Sequence, residues 1–315
     1  MQLPLKCQEK VSRLYAELKQ GELSKVQKNL TYKYKNETGE SKSLIDSKAD
    51  SLLYAISRMP ATYAVIYTLL SQLLEQGLIS GIESVLDVGS GTGAGYFAIK
   101  EFDDDTQIAL FERDENMIKV FETLTDNEVP VQKLDIVRDR LETKADLVMT
   151  SYVLSEMKEQ DRLNSVLKLL ESANKYLLII DTGTPRTYEN MMTVKRFVQE
   201  KGYNVIAPCM SKKCGLKNDY CQFYARVERS ALMRQAKQSE LSYEDEKYFY
   251  LLISKENAEI CGKRVIRRPI IKPNNVELML CSGDGASREN FTKKNKELFK
   301  QAKKAKINDL IKWEN

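Results

Sequence analysis

Histidine is missing from the 315 residues altogether. That excludes imidazole general-base chemistry and every metal site built on a histidine ligand. No cysteine falls between Cys7 and Cys209, which excludes a covalent thiol nucleophile of the pyrimidine C5 type in that interval. No apolar run approaches the roughly eighteen residues that a membrane-spanning helix needs. Hydrophobic residues at 42% and charged residues at 30% fit an ordinary globular chain and exclude wholesale disorder. The first twenty residues carry Glu9 and Glu17 and no long apolar core. They read as neither a secretion signal nor an acid-poor transit peptide. The expectation is a cytoplasmic protein whose six cysteines serve as ligands or plain thiols, not disulfides.

What charge there is lies unevenly. The net is +4 overall, but between Lys263 and Asn315 fourteen Lys/Arg face six Asp/Glu, a local net of +8. A basic segment of this kind suits a polyanionic partner, with nucleic acid first among the candidates. A solvated lysine-rich helix face is the structural alternative for the last thirty residues.

The hydrophobic period divides the chain into three parts. Residues 1–80 read as helical, with helices over 11–18 (stopping at Gly21), over 48–58, and from Pro60 to Gly77. Residues 81–208 read as a Rossmann-like domain. Short apolar runs at 84–88, 108–111, 129–134, 147–149 and 176–180 alternate with helical stretches at 115–124 and 158–174, the pattern of right-handed βαβ units on a parallel sheet. Residues 209–315 form a cysteine-bearing, basic extension with the last sheet strands. Its predicted order is an arginine-rich helix carrying Arg226, Arg229, Arg234 and Lys237, then strands over 247–253, 264–271 and 276–281, and finally a basic helix from Glu289 to Trp313. Pro273-Asn274-Asn275 marks a turn between two of those strands.

The first strand runs into Asp87-Val88-Gly89-Ser90-Gly91-Thr92-Gly93. Glycines there let the backbone approach a ligand closely. Asp87 lies in the strand, Glu112 ends the second strand where a carboxylate would accept both ribose hydroxyls of an adenosine, and Asp135 follows the third, facing the adenine. Ser151 opens the loop after the fourth. With Gly89, Gly91 and Gly93 these residues form the predicted cofactor set. Gly89 to Ala94 also satisfies G-x-G-x-x-G/A loosely, so a nicotinamide or flavin is the rival ligand. The full D-V-G-S-G-T-G run favours S-adenosylmethionine.

The methyl acceptor does not declare itself. Where amino-methylating enzymes carry Asp/Asn-Pro-Pro-aromatic, this chain has Thr150-Ser151-Tyr152-Val153-Leu154-Ser155-Glu156. Glu156 and Asp181 are candidate bases without a catalytic pattern around them. Cys209, Cys214 and Cys221 are dense soft ligands that suit zinc or an iron–sulfur cluster. Intervals of four and six residues favour a group larger than one ion, and a fourth thiolate must come from Cys261, Cys281 or Cys7. Phe223, Tyr224 and Tyr250 are candidates for base stacking, or for core.

Taken together, several motifs resemble one family. They are Tyr54-Ala55-Ile56-Ser57-Arg58-Met59-Pro60-Ala61-Thr62-Tyr63, the glycine turn, Ser151 to Glu156, Gly183-Thr184-Pro185, Ala207-Pro208-Cys209, Asp219-Tyr220-Cys221-Gln222-Phe223, Tyr243 to Lys247 and Leu280-Cys281-Ser282. The chain resembles the methyltransferase-like proteins of the mitochondrial small ribosomal subunit and their bacterial relatives. The resemblance implies a [4Fe–4S] cluster on Cys209, Cys214, Cys221 and Cys281, and association with small-subunit ribosomal RNA during ribosome assembly and translation. Relatives often carry histidines after the first and third cysteine; this chain has Met210-Ser211 and Gln222, so no histidine supports those thiolates. Cys7 and Cys261 are expected to be plain thiols. The expectation is a monomer off the ribosome, either an rRNA methyltransferase or a catalytically silent assembly factor. A cluster-dependent redox or iron-sensing switch on RNA binding is the third reading.

Overall fold

The computed structural model describes residues 1–16, 26, 29, 32–33, 44–209, 214, 216, 219–257 and 262–312. Gly21, Met210, Ser211, Cys261 and Trp313, each used in an expectation above, lie outside the described residues. Helix α1 (Leu5–Ala16) buries Cys7, Val11 and Leu14, the i, i+4, i+7 stripe of a helix face. Helix α2 (Lys48–Ser57) begins where the Ser47 side chain accepts from Asp50 N, satisfying one orphan amide of the first turn. Helix α3 (Met59–Glu75) carries Pro60 in its first turn, where a missing N–H costs no hydrogen bond. It ends in a Schellman pair: Gly77 at φ 67° donates to Leu74 O, and Leu78 donates to Leu73 O. All three helices pack into the same core as the sheet.

The main sheet holds β1 (Ser84–Val88), β2 (Gln107–Glu112), β3 (Val131–Lys133), β4 (Ala145–Ser151), β5 (Ala173–Thr182), β6 (Asn204–Ala207), β7 (Phe223–Glu228) and β8 (Tyr243–Ser254). Its order is β3-β2-β1-β4-β5-β8-β6, with β7 on β8. Strands β1 to β5 are parallel, and β8 enters antiparallel between β5 and β6. Helices α4 (Ala94–Lys100), α5 (Glu115–Leu124), α6 (Glu159–Ser172) and α7 (Pro185–Glu200) cross between the strands. The sequence order reverses at β1, between β2 and β4, which creates a crevice at the strands' carboxyl ends.

Beyond the short helix α8 (Ala231–Lys237), which follows β7, the chain builds a second sheet. It comprises β9 (Lys263–Val265), β10 (Ile270–Lys272), β11 (Asn275–Ser282), β12 (Gly285–Thr292) and β13 (Leu310–Ile311). Helix α9 (Lys296–Lys304) covers it, closing a small core of Val265, Val276, Leu278, Leu280, Phe291 and Ala302. The two layers meet at Arg264, which has no exposed surface. Its Nε donates to Pro208 O at 3.1 Å, and Nη1 donates to Gln76 Oε1 at 2.9 Å, Asn308 O at 3.0 Å and Asn308 Oδ1 at 3.1 Å. Tyr250 Oη and Gln72 hold the same asparagine.

Three expectations fail here. The arginine-rich helix is half strand: Phe223–Glu228 alternates buried and exposed residues along β7, placing Arg226 on its outer face, with Arg229 after it and only Arg234 and Lys237 helical. The period-2 alternation outweighs the helix propensity of arginine and alanine. The basic tail is not helical from Glu289, which lies in β12 opposite Leu278; the hairpin with β11 claims those residues and the helix begins seven residues later. Residues 264–271 also split, because Arg268 precedes a proline and Pro269 offers no N–H to a ladder. The Pro273-Asn274 turn stands between β10 and β11.

Arg264→Met strips four hydrogen bonds and takes the guanidinium donor from Pro208 O, Gln76 and Asn308, of which Asn308 keeps Tyr250 Oη and Gln72. It is expected to cost about 2–4 kcal/mol in urea unfolding. Arg288→Met, which removes the exposed pair with Glu277, is expected to stay within about 0.5 kcal/mol.

Candidate functional site

The three glycines of the turn are needed for different reasons. All have positive φ, at 80° for Gly89, 56° for Gly91 and 90° for Gly93, where other side chains are strained. A Cβ at Gly89 would stand 2.3 Å from Val153 Cγ2, and one at Gly93 would stand 2.2 Å from Phe121 Cδ2. These two are bare because the protein itself packs on them. A Cβ at Gly91 would meet nothing closer than Tyr54 Cε1 at 3.9 Å, so Gly91 alone faces open space.

That space is a cleft of about 680 Å³, measured out to its open mouth. Its walls come from the loops after four consecutive strands: Gly89 and Gly91, then Glu112 to Asp114, then Leu134 to Ile136, then Ser151 to Val153 with Glu156. Five of the seven predicted cofactor residues thus converge on it. Asp87 and Gly93 stand outside its wall. Asp87 is buried beneath the turn, where a Cβ on Gly95 would stand 2.2 Å from its Oδ2.

Glu112 is buried and already engaged. Its Oε2 accepts from Gly91 N at 2.8 Å, and its Oε1 accepts from Arg113 N at 2.8 Å and Asp114 N at 2.9 Å. A carboxylate offers about four lone-pair sites, so roughly one remains for a ribose hydroxyl where two were expected. Asp135 is engaged too: its Oδ1 accepts from Val137 N at 3.0 Å, and Arg138 lies 3.7 Å from Oδ2.

The floor of the cleft after β4 is strained. Tyr152 has φ 62°, a left-handed conformation that a bulky residue rarely holds without cause. Its N–H donates to Ile180 O at 2.8 Å, and the Arg58 guanidinium lies 5.8 Å over its ring while pairing with Glu246 at 3.0 Å. The adjacent Ser155 N–H donates to Asp181 Oδ2 at 2.8 Å. Asp181 is wholly buried and outside the cleft wall, so it fixes this loop instead of facing a substrate. Glu156 does face the cleft and pairs with Arg113 at 3.1 Å. Sequence reasoning missed Leu44, Ile45 and Tyr54, which also line it; only the motif containing Tyr54 pointed there.

The four cysteines form a second locus. Burial pushes the Cys209 and Cys221 thiols up, and Cys214 and Cys281 each push both further. The four sulfurs therefore lie within electrostatic reach of one another. Cys281 stands opposite Arg264 in the β11–β9 pairing. Among the described residues no three His, Cys, Asp or Glu side chains converge tightly enough to hold a single metal ion. Cys7 lies apart on α1, its thiol pushed up to about 12 by burial. Of the three aromatics offered for stacking, Phe223 and Tyr250 are fully buried core residues; only Tyr224 stays partly open, under the Arg268 guanidinium at 5.2 Å.

A sheet of order 3-2-1-4-5-8-6 with a glycine turn at its switch point defines an α/β protein of the S-adenosylmethionine-dependent methyltransferase fold. The chain belongs to the mitochondrial small ribosomal subunit Rsm22 family, whose model matches residues 48–312. No curated protein matches it. Among solved structures it is similar to the plantazolicin methyltransferase in complex with SAH, at 12% identity over 79% of this chain and 99% of that one, TM-score 0.44. The magnesium protoporphyrin IX methyltransferase of Synechocystis with bound SAM matches at 12% identity over 72% and 91%, TM-score 0.41. The mitomycin 7-O-methyltransferase matches at 14% over 73% and 67%, TM-score 0.45.

The cleft predicts a pH dependence. Burial, with Glu112 adding to it, pushes the Asp87 carboxyl up to about 7; burial pushes Glu156 up to about 8. The folded chain thus holds protons that the unfolded chain releases. Their contribution to stability is full below about pH 4 and is lost as pH rises through 7 to 8, at up to about 1.4 kcal/mol per pH unit for each group. Asp87→Asn keeps the shape and removes one titration. Its urea midpoint should fall less between about pH 5 and pH 8 than that of the wild type, and an equal fall contradicts the assignment.

Proposed function

We propose that this chain binds S-adenosylmethionine in the β1–β4 cleft, holds a [4Fe–4S] cluster on Cys209, Cys214, Cys221 and Cys281, and acts on the small ribosomal subunit through its RNA. The observation that carries the cofactor part is the convergence of four post-strand loops around Gly91, the one turn glycine with open space above it. Membership of a small-subunit family supports the partner. The Glu112 carboxylate on the cleft wall suits a ligand that carries cationic sulfonium and ammonium groups.

Four soft thiol donors within electrostatic reach of one another are the donor chemistry that a metal–sulfur group takes. The RNA-facing part is the second sheet and α9, whose lysines at 296, 300, 303 and 304 sit on a largely exposed helix. Lysine contacts to phosphate give affinity that weakens with salt and carries no sequence information.

Glu112→Ala is expected to weaken S-adenosylmethionine binding about tenfold or more in calorimetry, since it removes the ribose acceptor and frees the turn. Unchanged affinity refutes the cleft as the site. For the partner, the tagged protein is crosslinked to RNA in cells and methylated nucleotides are mapped with and without the gene. Crosslinks concentrated on small-subunit rRNA support the reading and their absence overturns it. A methyl group lost with the gene makes the protein an enzyme; an unchanged methylation map makes it a cofactor-binding assembly factor.

A further inference from the structure

Helix α7 presents two polar side chains to the sulfurs. Tyr188 and Lys195 are seven residues apart, hence on one face. Tyr188 Oη donates to Cys214 Sγ at 3.0 Å. The Lys195 side chain is 3% exposed and hydrogen-bonds Cys209. Arg264, opposite Cys281 in the ladder, donates to the carbonyl of Pro208 immediately before Cys209, while its Nη2 is buried with no hydrogen-bond partner among the described residues. Arg267 also acts on Cys221.

Burying an ammonium costs several kcal/mol unless negative charge meets it. A thiolate-held group at Cys209 would put negative charge beside that ammonium. We infer that Lys195, assisted by Tyr188, is a positioning residue for the sulfur-held group: it hydrogen-bonds the Cys209 sulfur, compensates the anionic charge of the group, and favours its more negative, reduced state. This rests on the cluster reading above. Outer-shell donors of this kind orient ligating sulfurs and tune what they hold, and hydrogen bonds to sulfur with nearby net charge set cluster potentials.

The test uses the full chain, purified anaerobically, as wild type, Lys195→Met, Lys195→Arg and Tyr188→Phe. Iron and acid-labile sulfide are counted first on the wild type. Zinc without sulfide overturns the cluster reading and leaves Lys195 to be judged separately. With a cluster present, each variant is titrated with dithionite as the electron source. Lys195→Met is expected to move the midpoint to more negative potential, Lys195→Arg to bring it back towards wild type, and Tyr188→Phe to move it in the same direction as Met but less. A midpoint equal to wild type in both Lys195→Met and Tyr188→Phe overturns the inference. Should Lys195→Met fail to fold, Tyr188→Phe, which removes one hydroxyl, decides alone. With zinc present instead, competition by a coloured chelator replaces the titration. Loss from Lys195→Met about tenfold or more faster than from wild type supports the charge role, and equal rates overturn it.

Discussion

A single buried carboxylate holds the cleft together. Glu112 ends β2 and takes main-chain hydrogen from Gly91 on the neighbouring strand's turn and from Arg113 and Asp114 on its own. Three charge-assisted bonds, each among the stronger kinds in proteins, lock the loops after β1 and β2 in register. The turn then presents Gly91 to the open side, while Gly89 and Gly93 are pressed against Val153 and Phe121. Those two contacts fix where the loop after β4 and helix α5 can lie. The carboxylate is thus structural before it is anything else, and any ligand must fit what capacity it has left.

The second constraint is Arg264. Its hydrogen bonds reach α3 through Gln76, the segment before Cys209 through Pro208, and the chain after α9 through Asn308. Asn308 itself sits at φ 72°, a conformation that asparagine tolerates better than most residues. The small sheet is therefore tied to the large one by a charged hydrogen-bond network beside the apolar contacts of Ile266 and Ile307 with the main core. The consequence concerns the thiols. Cys281 comes from β11 of the small sheet and Cys209 from the end of β6, and the same guanidinium fixes both positions.

Most of the parallel half was legible in the sequence. The inner strands there carry apolar runs between turn signals, the pattern that burial on both faces demands, while the edge strand β3 is the short, exposed Val131-Gln132-Lys133. Helix α5 was read to the residue because Asp114 caps it through the amides of Asn116 and Met117. The antiparallel half was harder. β7 reads as part of a helix when Arg226 is counted with Arg229, Arg234 and Lys237 beyond it, and β12 is polar along its exposed face. The site divides the same way: loop positions after strands follow from the fold, whereas which oxygen is already occupied does not. Lys195 lay hidden in an ordinary amphipathic helix, because nothing in a sequence tells a buried lysine from a solvated one.

The two loci are physically contiguous. Ser155, in the loop that lines the cleft, is held by Asp181 at the end of β5. Two residues on, the chain turns at Gly183, whose missing Cβ lets it lie against Lys247 of β8. Thr184 then caps α7 through the amide of Thr187, and α7 delivers Tyr188 and Lys195 to the sulfurs. Contiguity is not coupling, which needs an element with two arrangements that both sites bias. Every joint in this path is a buried hydrogen bond or a close-packed contact, and each holds one arrangement. The strained Tyr152 is the exception. It sits at the cleft end of the path, held in an unfavourable conformation by the Ile180 carbonyl and the stacked Arg58. Strain is stored where a second arrangement would release it. Tyr152 is the one non-glycine residue named along this path with a positive φ, so its backbone is where a second arrangement is to be sought first.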